Sequence, residues 1–86
     1  MEENHSSIES LVRRVQTGEH GSLAELVRRL ERPLMGLANR ILCDPIAAED
    51  VFIESMTRLL PLVAGFGEPD RFGAYARRAV RNQAVD

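Results

Sequence analysis

At 86 residues, with 44% hydrophobic and 28% charged content, the chain can bury one modest core but not two, and it is too apolar for a disordered segment. A net charge of −2 argues against a nucleic-acid binder that is basic throughout. No apolar run approaches the roughly 20 residues needed to cross a bilayer and no signal-peptide pattern opens the chain, so a cytoplasmic protein without membrane insertion is expected.

Four helices and no strands are legible, which predicts an all-α fold: a compact bundle of four helices. Residues 1–5 are expected to be a disordered N-terminus, with the folded domain spanning residues 6–86. The first helix opens at Ser6, an N-cap with Glu9 three residues on as a capping box. Ile8, Leu11, Val12 and Val15 fall on one helical face, and Gly18 supplies the left-handed residue that ends it.

Ser22 and Glu25 repeat the capping pattern for a long second helix. Leu23, Leu26, Val27, Leu30, Leu34, Leu37, Ala38, Ile41 and Leu42 make an apolar stripe of about five turns. The stripe keeps its phase across Pro33, so the proline is expected to kink this helix, not to end it. Cys43, the single cysteine, closes the run ILC and reads as a small core residue; it has no partner for an internal disulfide.

Asp44 and Pro45 then provide an N-cap and a first-turn proline for the third helix, IAAEDVFIESMTRLLPLV, which Pro61 and Gly65 bring to a close. The segment AGFGEPD is a loop, and Asp70 is read as the cap of the fourth helix. That helix runs to Asp86 without a stop signal, as in a chain that is part of something longer.

His5 and His20 sit in polar, loop-like stretches, and no Cys/His spacing resembles a metal site. With no nucleophile–base pair either, neither an enzyme nor a cofactor- or metal-dependent protein is expected.

Charge is segregated along this chain. Asp44, Glu49, Asp50 and Glu54 occupy a stretch with no base, whereas Arg71, Arg77, Arg78 and Arg81 occupy one with no acid. On the third helix, Ala48, Val51, Phe52, Ser55 and Leu59 can face inward. This leaves Asp50, Ile53, Glu54 and Thr57 outward, either as a solvated face with a stray apolar residue or as a docking surface for a basic partner helix.

On the fourth helix, Phe72, Ala76, Ala79 and Val80 form the core side at 100° per residue. Arg71, Tyr75, Arg78 and Asn82 form a neighbouring stripe, with Arg77 and Arg81 on a third flank. A ring, an amide and several guanidinium groups are what unpaired nucleic acid requires for stacking, base-edge reading and phosphate contact. The alternative is a solubilising arginine face with Tyr75 half-buried in the core. All eleven basic residues are arginine, which suits phosphate and base contacts better than lysine.

At this point the chain resembles region 2 of the sigma-70 family of RNA polymerase sigma factors, in particular the extracytoplasmic-function type. DPIAAEDVFIESMTRLL is similar to the family's D-P-x-x-A-E-D-[LV]-[VF]-Q-E-x-F-x-R-L-W. RFGAYARRAVRNQAVD is similar to its F-R-A-W-L-x-R-I-A-R-N-x-A-I-D, and TGEHGSLAELVRRLERPLMGLANRIL fits the helix between. Where the family carries glutamine and two tryptophans, this chain has Ile53, Leu60 and Tyr75.

The resemblance implies two partners. Asp50, Ile53, Glu54, Thr57 and Leu60 would dock on the clamp helices of the largest subunit of core RNA polymerase. Phe66, Arg71, Tyr75, Arg77, Arg78, Arg81 and Asn82 would meet the non-template strand of the promoter −10 element and capture a flipped base. An anti-sigma factor is a further partner that the family admits, and a protein-interaction module without DNA binding of its own is the alternative reading. A complete factor of this type also carries a −35-binding domain, for which these residues leave no room.

Overall fold

The computed structural model describes residues 7–85, which form four α-helices and no strand. The Ser6 cap and residues 1–5 lie outside the described residues. Helix α1 spans Ile8–Gln16, with Ser7 as its N-cap: the Ser7 Oγ accepts from the Ser10 amide at 3.1 Å. Glu9 pairs with Arg13 one turn on, at 3.0 Å, instead of reaching back to a cap. Gly18, at φ 80°, follows as expected and turns the chain out of the helix.

Helix α2, Ser22–Leu42, passes through Pro33 without interruption. Pro33 and Arg29, whose carbonyl loses its usual donor there, are both exposed, so water can satisfy that oxygen. The capping pattern at its start is not realised. Gly21, at φ 83°, is the N-cap residue, while the Ser22 hydroxyl turns back to donate to the Glu19 carbonyl at 2.7 Å. Glu25 pairs with Arg28.

The α2 stripe is narrower than its pattern. Leu26, Leu30, Leu34 and Ala38 are buried, Val27 and Leu37 pack partly, and Leu23 and Ile41 at either end are exposed. Cys43 is also a correction. It is the exposed C-cap of α2 in the left-handed region, at φ 54°, because the chain must reverse there to begin the next helix.

Helix α3, Pro45–Val63, starts as anticipated: Asp44 accepts from the Ile46 and Ala47 amides at 3.0 and 3.3 Å. Pro61 lies inside its last turn, within the segment read for this helix. A loop leads to a short 3-10 turn, Pro69–Arg71, and then to α4, Phe72–Val85. Asp70 therefore sits within that turn, not ahead of α4 as its cap.

Helix α2 contacts the other three helices and serves as the central member. Leu11 and Val12 of α1, the α2 stripe, Phe52, Met56, Leu59 and Val63 of α3, and Phe72, Ala76 and Val80 of α4 make one continuous core. Phe72 is fully buried at the start of α4, which fixes the rotation of that helix and hence the direction of its outer face.

Candidate nucleic-acid interface and docking face

The surface of α4 is set by an aromatic relay. The Phe66 ring, from the loop, meets Phe72 edge-on at 5.1 Å between centroids and Tyr75 at 5.2 Å in a tilted arrangement. Phe66 is only partly exposed and packs against the core, so its position is that of a brace beneath Tyr75. Tyr75 itself is 42% exposed, with room for a ring to stack on it.

The loop is held from below by α1. The Gln16 side-chain amide donates to the Val63 carbonyl at 3.0 Å and to the Phe66 carbonyl at 2.7 Å. The sequence reading missed this residue, because its partners lie 47 and 50 positions away and a polar residue at a helix end carries no local signal.

The expected cations are where the periodicity put them. Arg71, Arg77, Arg78, Arg81 and Asn82 are all exposed. Arg71 lies 3.7 Å from Glu68, a solvent-exposed pair and hence a weak one. Among the described residues, no acid lies within ion-pair distance of Arg77, Arg78 or Arg81.

Two concavities adjoin this face. The first is a groove of about 270 Å³ between α3 and α4, where Tyr75, Arg78 and Asn82 face Arg58, Leu59 and Leu62. The second, about 370 Å³, lies between the loop and α4, with Phe66, Glu68, Asp70 and Arg71 in its wall. Tyr75 and Arg78 border both. Arg58 was not among the predicted residues; its signal was the single base on the α3 segment, which lies beyond the acidic run that drew attention.

The outer side of α3 carries Asp50, Ile53, Glu54 and Thr57, all exposed, with Ile53 at 52%. Leu60 is partly buried against the core and forms the edge of this face. Ile46, seven residues before Ile53 and 75% exposed, extends the same face and also went unnoticed in the sequence. The Glu54 carboxylate accepts from the Gln83 amide of α4 at 2.7 Å, so one residue of the acidic face is tied to the helix that carries the arginines.

Among the described residues, no helix is long and apolar enough to cross a membrane. Comparison with curated proteins and with solved structures returns no match. The family profile described as Sigma-70 region 2 does match, over residues 26–86. That span runs from the second turn of α2 through both helices that carry the faces just described, and the chain belongs to the sigma-70 region 2 family, a non-enzymatic transcription-factor family of sigma factors concerned with RNA polymerase binding and promoter melting.

Proposed function

We propose that this chain is the polymerase-docking and −10-element-binding domain of a sigma factor of the extracytoplasmic-function type, acting in the cytoplasm. Asp50, Ile53, Glu54, Thr57 and Leu60 dock on the clamp helices of the largest polymerase subunit. Tyr75 stacks on a base of the non-template strand, with Phe66 as its support. Asn82 reads a base edge, while Arg71, Arg77, Arg78 and Arg81 neutralise phosphates. No bond chemistry is involved: stacking and charge neutralisation offset an unstacking cost of a few kcal/mol per base step.

The observation that supports this reading best is the state of the α4 surface. An exposed ring, an exposed amide and three guanidinium groups with no ion-pair partner among the described residues lie on the outer side of α4. A solubilising face would not need the ring, and Tyr75, half-buried against Phe66, still leaves 42% of its surface open to solvent.

The test is promoter opening with core RNA polymerase. Tyr75→Ala combined with Asn82→Ala lowers open-complex formation while leaving polymerase binding intact. Glu54→Arg does the opposite, abolishing co-purification with core polymerase in a normally folded chain. Undiminished opening by the double variant would remove Tyr75 and Asn82 from the DNA site.

Exposed Ile46 and Ile53 favour a second reading, in which an anti-sigma factor covers the α3 face. Co-purification with a small regulatory protein in place of core polymerase distinguishes it.

A further inference from the structure

We propose that Gln16 is a positioning residue of the DNA face. Its side-chain amide fixes the Phe66 brace, and through it the Tyr75 ring, so that α1 governs the hold on a single strand without touching it. The proposal rests on the reading above, in which Tyr75 meets an unpaired base.

Phe66 stands in a segment that its own sequence does little to hold. It lies between Gly65 and Gly67, both exposed, and a Cβ at either would meet no neighbour. Neither glycine is in the left-handed region, so the backbone there does not require glycine and is left with more freedom than another residue would allow. The local hydrogen bonds run back to α3: the Gly65 amide donates to the Leu62 carbonyl at 3.2 Å and the Phe66 amide to the Val63 carbonyl at 3.1 Å. The carbonyl side of Phe66 has to be fixed by something outside the loop.

Gln16 does this from the last position of α1, where it is partly buried. Its Nε2 gives one hydrogen to the Phe66 carbonyl at 2.7 Å and the other to the Val63 carbonyl at 3.0 Å. A primary amide suits the task, because it carries two donors on one uncharged nitrogen. A carboxylate of the same length would turn only acceptors toward two carbonyl oxygens. With its backbone held, Phe66 directs its ring edge-on to Phe72, 5.1 Å between centroids, and to Tyr75 at 5.2 Å. Phe72 is fully buried, which leaves Phe66 as the variable member of the three. A ring already held in one place loses less freedom when a base stacks on it than a ring that must be ordered at that moment. Gln16 therefore contributes to strand affinity by preorganisation, and only through Tyr75.

The chain has one tyrosine and no tryptophan, so its ultraviolet emission reports Tyr75. In the free chain, Q16E is expected to raise acrylamide quenching of that emission by up to about twofold, the limit for a ring already 42% exposed. With the full chain on core RNA polymerase, anisotropy titration of a −10 non-template strand should show Q16E binding about fivefold more weakly, the effect of one net hydrogen bond. In a Tyr75→Ala background the same substitution should weaken binding by less than about twofold, because the ring through which it acts is gone. Q16M, which keeps the length without donors or charge, takes the place of Q16E should that variant not fold.

Unchanged quenching overturns the proposal and leaves the DNA-binding reading standing. So does a fivefold loss that persists without Tyr75, since Gln16 would then act by another route. Loss of polymerase association in step with strand binding overturns it too, as the mark of a loosened bundle. If the wild type binds no strand, the reading and the proposal fail together.

Discussion

Tyr75 shows how much one side chain can rest on others. Its ring is positioned by Phe66, which is positioned in turn by Phe72, fully buried in the core. What the site asks of Tyr75 is an aromatic surface, since no hydrogen bond engages its hydroxyl among the described residues. Tyr75→Phe is therefore expected to open a promoter as well as the wild type. Tyr75→Ala should lose about 1–3 kcal/mol of strand affinity, the usual worth of stacking one base. Competition binding with a −10 non-template strand compares the two; equal losses in both variants would show that the hydroxyl, and not the ring, makes the contact.

At the scale of elements, the loop between α3 and α4 is fastened to α1 as well as to the core. Gln16 gives both of its amide hydrogens to carbonyls at the end of α3 and in the loop. Gln16→Ala leaves the Phe66 carbonyl without its donor and takes one of two donors from the Val63 carbonyl, which keeps the Phe66 amide, a loss of about 1–3 kcal/mol. Because the bonds span the loop's start, amide exchange over residues 64–68 should accelerate more than exchange in the α2 core. Uniform acceleration across all helices would mean that Gln16 supports the whole bundle and not the loop. The outer faces of α3 and α4 are linked as well: Gln83 holds Glu54 across the two helices, so the proposed docking carboxylate and the proposed DNA-reading helix are in direct contact.

Over the whole molecule, the balance of charge decides the strength and the salt response of any DNA contact. The chain is net negative, and Arg58, Arg71, Arg77, Arg78 and Arg81 are five of its eleven arginines, the other six lying on α1 and α2. Four arginine–phosphate contacts correspond to a slope of about −3 in log affinity against log salt for a single strand, at roughly 0.7 per phosphate. Arg81→Ala should lower that slope by about 0.7 and weaken all strands alike. A slope unchanged by removal of Arg81 and Arg77 together would mean that those side chains do not meet the backbone of the strand. A radius of gyration of 12.8 Å, near the roughly 12 Å of a compact chain of this length, leaves such a small body able to present both faces at once.

The number of helices, the faces they bury and the separation of acids from arginines could all be read from the amino-acid order, because helical periodicity is a property of each segment about its own axis. Asp44 and Gly18 took their anticipated places for the same reason: caps and left-handed turns are decided within a few residues. Failures at that range came where local options compete. Ser22 bonded backwards to Glu19, Glu25 chose Arg28, and Cys43 went to an exposed turn instead of the core. Only the tertiary structure could decide what lies between elements. The Gln16 clasp, the Gln83–Glu54 bond and the groove that brings Arg58 to Tyr75 and Asn82 all depend on how α1, α3 and α4 are rotated and packed against α2. Those rotations follow from fitting buried side chains such as Phe72 and Leu34 into one core, a condition imposed on all four helices together and therefore invisible in any one of them.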